Sequence, residues 1–137
     1  MPENQPSRRS DCPISFGLDL FGDKWTLLIL RDLLLRGKSR FVEFLASEER
    51  IASNILADRL ARLEGSGLIT KAGDKSDRRQ SLYRATQKGA DLLPVLVELA
   101  YWGASHDPKT GAPKEFARAY RLDRSGLLKK LKAGIKA

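Results

Sequence analysis

Between Ala52 and Thr86 the spacing of apolar residues changes period, and that change constrains the fold more than any other feature of the chain. Leu56, Leu60 and Leu63 fall at i, i+4 and i+7 with Ile51 and Ile55 beside them, which predicts a helix over Ala52–Glu64 with one apolar face. Gly65 and Gly67 supply the stop and a tight turn. Leu68–Ala72 and Ser81–Thr86 then read as short strands. The loop between them, Gly73–Gln80, is too polar to pack and suits an exposed hairpin tip.

The flanking segments read as helical. Pro13 opens a first helix carrying Phe16, Leu18, Leu20 and Phe21. Asp23 is placed to cap a second, central helix through Trp25 and Leu27–Leu35, with Gly37 as its stop. Ser39 caps a short helix over Arg40–Ala46 that buries Phe41, Phe44 and Leu45, and Ser47–Arg50 makes the connection onward. Thr86 caps a long helix from Gln87 to about Gly103, bent by Pro94 or starting there. After a Pro- and Gly-containing linker over His106–Pro113, the remaining apolar residues fit one bent helix or two, broken near Ser125-Gly126. The expected organisation is a flexible arm over 1–11, one domain over 12–106 and a basic helical extension over 107–137.

A formal charge of +8 on 137 residues invites a polyanionic partner. Its distribution is more telling. Residues 71–88 carry six Lys/Arg against two Asp/Glu, and residues 107–137 carry nine against three. Segment 41–70 carries three against five, so positive charge should surround the leucine-rich helix rather than run along it.

Two short helices followed by a basic hairpin suit double-stranded DNA, because a helix fits the major groove while a hairpin reaches the backbone or minor groove. Opposite the leucines, Ser53, Asn54, Ala57 and Asp58 are the base-reading candidates. Asn can pair with adenine through two hydrogen bonds, and Asp can accept from a cytosine amino group. Each also has a plainer role: Ser53 and Asn54 can satisfy first-turn N–H groups, and Asp58 can pair with Arg62. Arg78, Arg79 and Lys75 on the loop are phosphate candidates, joined by Lys38, Arg40, Arg59 and Arg62. Arg59 could instead reach Glu43.

These residues resemble the HxlR-type winged helix-turn-helix regulators, relatives of the MarR type. The resemblance runs through Cys12-Pro13-Ile14, Gly22-Asp23-Lys24-Trp25-Thr26, Arg40-Phe41-x-Glu43-Phe44 and Leu56-x-x-Arg59-Leu60-x-x-Leu63-Glu64-x-x-Gly67-Leu68-Ile69. It continues through Tyr83-x-x-Thr86-x-x-Gly89 and Leu96-x-x-Leu99-x-x-Trp102-Gly103. It implies a winged helix-turn-helix with additional N- and C-terminal dimerisation helices, and a homodimeric regulator, most often a repressor, on a pseudo-palindromic operator. Phe16, Leu92, Leu96, Leu99 and Trp102 are then the dimer-interface candidates. Some members sense oxidants through a cysteine matched by Cys12, and a small-molecule effector between the dimerisation helices and the winged domain is the other signal considered. The resemblance weakens at Gln87, where an acidic residue is frequent, and in the long basic tail.

Other classes fare worse. Cys12 and His106 are the only residues of their types, and no phosphate loop, paired-Cys motif or metal-binding helix signature occurs, so neither an enzyme nor a cofactor or metal is expected. No apolar run is long enough to span a membrane, and a cytoplasmic protein is expected. RNA binding lacks an aromatic platform. A winged helix used only for protein assembly is the runner-up, favoured by the net acidity of segment 41–70.

Overall fold

The computed structural model describes residues 8–135, so most of the arm expected over 1–11 lies outside the described residues. The elements are α1 (Pro13–Phe21), α2 (Thr26–Leu35), α3 (Phe41–Leu45), α4 (Ser53–Gly65), β1 (Ile69–Gly73), β2 (Ser81–Ala85), α5 (Gln87–Ala90), α6 (Leu93–His106) and α7 (Lys114–Ala133). The fold is a winged helix-turn-helix: α3 and α4 form the helix pair, and the antiparallel β1–β2 hairpin is the wing.

Leu30 and Leu34 of α2, Phe44 of α3, Leu56, Leu60 and Leu63 of α4, and Leu96 of α6 meet in one core with Leu68, Ile69 and Tyr83. Register Lys71↔Tyr83 turns Tyr83 inward, where its ring meets Phe44 edge-on at 6.1 Å. The Tyr83 N–H donates to Ser39 O (2.8 Å), fastening the wing to the loop before α3. Burial of these aliphatic side chains is the main stabilising term, about 2 kcal/mol for each large one.

Several local expectations shift by a turn. Of the two glycines after the leucines only Gly67 is left-handed (φ 79°), while Gly65 stays helical. The N–H groups of Gly67 and Leu68 donate to Glu64 O (3.1 Å) and Leu63 O (2.9 Å), so α4 ends in a Schellman turn aimed directly into β1. Ser39 is not the cap of α3; the Glu43 carboxylate accepts the N–H groups of Ser39 (3.1 Å) and Arg40 (2.9 Å). The long helix expected from Gln87 is instead the single turn α5, capped by Thr86, followed by α6 with Pro94 in its first turn. Pro94 has no N–H to donate and so is accommodated where none is needed. In α7 the interruption falls at Asp123, not Ser125-Gly126; Asp123 is extended (φ −158°, ψ 78°) and accepts Gly126 N–H (2.9 Å), capping the second half.

α7 folds back on α6. Tyr120 stacks on Tyr101 at 3.8 Å, and Glu98 accepts from Tyr120 Oη (2.7 Å) and Arg124 Nε (2.6 Å). Among the described residues no helix is long and apolar enough to cross a membrane.

Candidate nucleic-acid interface

The helix pair is held from beneath by charge. Asp32, in the middle of apolar α2, is only 2% exposed. Its carboxylate accepts from Ser47 Oγ and from Arg31 (3.0 and 3.1 Å), and Lys38 Nζ lies 3.8 Å away. Lys38 also donates to Ser47 Oγ (2.8 Å). Arg31 reaches on to Glu49 through two bonds of 2.6 and 2.8 Å, and Arg36 pairs with Glu48 at 3.0 Å. The Arg31 bonds outweigh partial burial and hold the Glu49 carboxyl at about 2. This network grips Ser47–Arg50, the turn between α3 and α4, where Arg50 is left-handed (φ 57°) and reverses the chain. A left-handed position costs a residue with a side chain roughly 1–2 kcal/mol, so the surrounding bonds are what keep it.

From that turn α4 emerges with Leu56, Leu60 and Leu63 inward. Ser53, Asn54, Ala57 and Asp58 all lie on its exposed face, together with Arg62. Among the described residues the side chains of Ser53 and Asn54 make no hydrogen bond, so neither is spent on capping.

The basic candidates divide into two groups. Lys75, Arg78 and Arg79 stand on the exposed wing loop, where the Arg79 side chain is 91% exposed. Asp77 shapes this tip by accepting from Arg79 N–H and Gln80 Nε2, each at 3.1 Å. Lys38, Arg40 and Arg59 are instead engaged within the protein. Arg40 bonds Asp74 at 2.7 and 2.9 Å, clasping the wing to the start of α3. The Ser76 hydroxyl and N–H, with Arg40 alongside, keep the Asp74 carboxyl below the ordinary carboxylate range. Arg59 does not approach Glu43, which caps α3; its Nε donates to Asp23 (2.9 Å) and its Nη1 to Asp58 (2.5 Å). Asp58 therefore pairs with its neighbour Arg59 more closely than with Arg62, which lies at 3.9 Å.

Asp23 sits at the centre of another cluster. It accepts from the N–H groups of Trp25 (3.1 Å) and Thr26 (3.2 Å) and from the Thr26 hydroxyl (2.5 Å), besides Arg59. Burial works to raise its pKa, but the bonds from Thr26, Arg59 and Trp25 prevail and hold it at about 2.

The expected dimer residues also separate. Phe16, Leu99 and Trp102 are 47%, 52% and 65% exposed, and Leu92 is half-buried. Leu96 is instead buried in the protomer's own core, on the α6 face that also buries Leu93 and Val97. Sequence reading placed Asp23 at the start of α2, where it accepts the N–H groups of Trp25 and Thr26, but missed its pairing with Arg59 and the partners of Asp32 and Asp74. The available signal was Asp32 itself, an acid set in the leucine run of α2, where burial demands a partner.

Comparison with known proteins places this geometry. Residues 20–110 match the model of the HxlR-like helix-turn-helix family. An uncharacterized HTH-type transcriptional regulator of Mycobacterium tuberculosis (strain H37Rv), Rv3095, is 38% identical over 96 residues; the match takes in 70% of this chain and 60% of the length of that relative. Among solved structures, PA1607, described as a candidate transcription factor, superposes with a TM-score of 0.69 at 36% identity, covering 77% of this chain and 74% of that one. The redox regulator HypR in its oxidized form gives 0.61 at 29% identity, covering 69% and 96%. With the helix pair, the glycine-ended α4 and the wing all inside the matched region, the chain belongs to the HxlR-like helix-turn-helix family.

Proposed function

We propose that this protein is a sequence-specific, double-stranded-DNA-binding transcriptional regulator that acts in the cytoplasm as a homodimeric repressor on a pseudo-palindromic operator. The observation that carries this reading is the exposed polar face of α4, with Ser53 and Asn54 unbonded, beside an exposed wing bearing Lys75, Arg78 and Arg79. α4 enters the major groove, where Ser53, Asn54, Ala57 and Asp58 read bases. The wing contacts phosphate, assisted by Arg62. Lys38, Arg40 and Arg59 support the interface from inside the protein; contact with phosphate would require each to exchange an acidic or hydroxyl partner. The acidity of segment 41–70, which favours a pure assembly module, is largely answered by Arg31 on Glu49 and Arg36 on Glu48.

The dimer forms through α1 and the outer face of α6. No residue of α1 is buried in the protomer, and Ile14, Phe16 and Leu18 face outward. A helix this short is marginal in water without a packing partner. Leu99 and Trp102, with Leu92 at the edge, supply the matching apolar surface. Cys12 is exposed immediately before α1 and is the candidate oxidant sensor. As the chain's only cysteine it can be linked to a second chain or modified on its own. A small-molecule effector would enter the crevice between the dimerisation helices and the winged domain.

The test is titration of random-sequence duplex DNA at several salt concentrations, with wild type and Arg78→Ala/Arg79→Ala. Binding should fall steeply with salt, and the variant should bind every duplex more weakly with a slope smaller by about 2. No measurable duplex affinity at low salt would overturn the reading in favour of the assembly module.

A further inference from the structure

Asp23 belongs to the turn between α1 and α2, 36 residues before Arg59 in sequence, yet it touches α4 through that arginine. The Arg59 guanidinium is divided between two carboxylates: Nε on Asp23 Oδ2 at 2.9 Å and Nη1 on Asp58 Oδ2 at 2.5 Å. The two acids differ in what else holds them. Asp23 is fixed by Trp25 N–H and by the backbone and hydroxyl of Thr26, a residue 3% exposed, so its position is set by the start of α2. Asp58 is over half exposed, and besides Arg59 it has only the distant Arg62. Left alone, an exposed Asp side chain on a helix samples its rotamers freely. Here the planar guanidinium of Arg59, whose side chain is 19% exposed and is fixed at one end by a rigid acceptor, leaves the Asp58 carboxylate few orientations.

We propose that Asp23 is a specificity-determining residue of the DNA interface: through Arg59 it orients Asp58, and so sets the base preference at the position Asp58 faces. The inference rests on the proposed role of Asp58 as a base reader. Both oxygens of Asp58 are oriented by this arrangement. Oδ2 is taken by Arg59, which leaves Oδ1 to accept a base amino hydrogen, the contact expected of an acid with cytosine. The arginine also offsets the repulsion that a bare carboxylate would feel from the phosphates. Asp23 touches no base. It is a positioning residue whose influence crosses from the α1–α2 turn to the groove face of α4.

The experiment begins with the duplex that wild type selects from a randomised library and a panel of its single-base variants. Affinities are measured at one salt concentration for wild type, Asp58→Asn, Asp23→Asn and Arg59→Gln. The last variant leaves the Asp23 cap on α2 in place and severs the link, so it decides the matter should Asp23→Asn fold poorly. Asp58→Asn should relax discrimination at one base pair in each half-site by about tenfold. Asp23→Asn should relax the same base pair by about fivefold, with affinity for unrelated duplexes within about twofold of wild type; Arg59→Gln, which also removes the charge that offsets Asp58, should relax the same base pair by about fivefold on top of a uniform loss of affinity. Asp23→Asn/Asp58→Asn should be no more relaxed than Asp58→Asn alone. Uniform weakening of all duplexes by Asp23→Asn, or unchanged discrimination in Asp23→Asn and Arg59→Gln while Asp58→Asn relaxes it, overturns the positioning role. Unchanged discrimination in Asp58→Asn overturns the base-reading assignment itself.

Discussion

Gly89 offers the sharpest test of how the wing is seated. It lies in the single turn α5, directly over the junction of α4 and β1, and a Cβ added there would stand 2.1 Å from the carbonyl oxygen of Leu68 and 3.1 Å from its carbon. A comfortable carbon–oxygen approach is about 3.3 Å, so Gly89→Ala must push the two backbones apart by about 1 Å. Neither side yields easily. Leu68 is buried and its carbonyl accepts Thr86 N–H (3.1 Å), while Thr86 Oγ1 donates to Gly67 O (2.6 Å) and accepts Gly89 N–H (3.1 Å). Overpacking of this kind costs about 2–3 kcal/mol, which for a chain of this size lowers the melting temperature by roughly 10 °C. Gly65→Ala is the internal control. Gly65 is helical, with nothing within 4 Å of an added Cβ, and the same substitution there should raise stability by about 0.5–1 kcal/mol. Thermal unfolding followed by circular dichroism, at one protein concentration because the proposed dimer would make stability depend on it, reads both variants. A Gly89→Ala protein that melts with wild type, or above it, would refute the close seating of α5 on the wing.

Three further predictions follow from the charged contacts. Asp32→Ala leaves Arg31, Lys38 and Ser47 without their shared acceptor and should cost about 3 kcal/mol in denaturant unfolding; an unchanged midpoint would contradict the burial of that cluster. Asp23 and Glu49 are both held at about 2, below their ordinary 3.8 and 4.5. Because these folded values are depressed, their stabilisation is complete above about pH 5 and is lost as pH falls towards 2, about 1 kcal/mol each after solvent screening. Asp23→Asn/Glu49→Gln should therefore show a flatter decline in urea midpoint between about pH 5 and 3 than wild type does, and parallel declines would count against it. Arg40→Ala removes the clasp on Asp74 and should speed amide hydrogen exchange at Ser76 and Asp77 while leaving α4 protected; equal exchange at those amides would show that the clasp does not hold the wing.

The parts of this molecule legible in the sequence are those governed by local rules. Leu56, Leu60 and Leu63 set the buried face of α4 because helical periodicity needs no tertiary information, and Thr86 could be read as a cap for the same reason. The exposed wing loop followed from its composition. Pairings across long separations were not legible: Arg40 with Asp74, Arg59 with Asp23 and Arg31 with Glu49 each join elements whose approach depends on the whole core. For that reason Lys38, Arg40 and Arg59 read in the sequence as phosphate candidates, with Glu43 as the other partner for Arg59, whereas the structure partners all three elsewhere within the chain. Leu96 lies in the protomer's own core because apolar residues occur around most of α6, and only packing decides which of them face inward. Pro94 at the start of α6 permits either a kink or a first turn, and only packing decides between them.

Joint reading of DNA by two copies of α4 is tested most directly by selecting bound duplexes from a randomised library with the intact protein. A homodimer should enrich a two-fold-symmetric site whose half-sites lie one helical turn apart, about 34–36 Å, or a multiple of that spacing. Asn54→Ala should change the enriched bases rather than merely weaken all binding. Enrichment of no sequence, or of a single unsymmetrical site left unchanged by Asn54→Ala, would contradict joint reading.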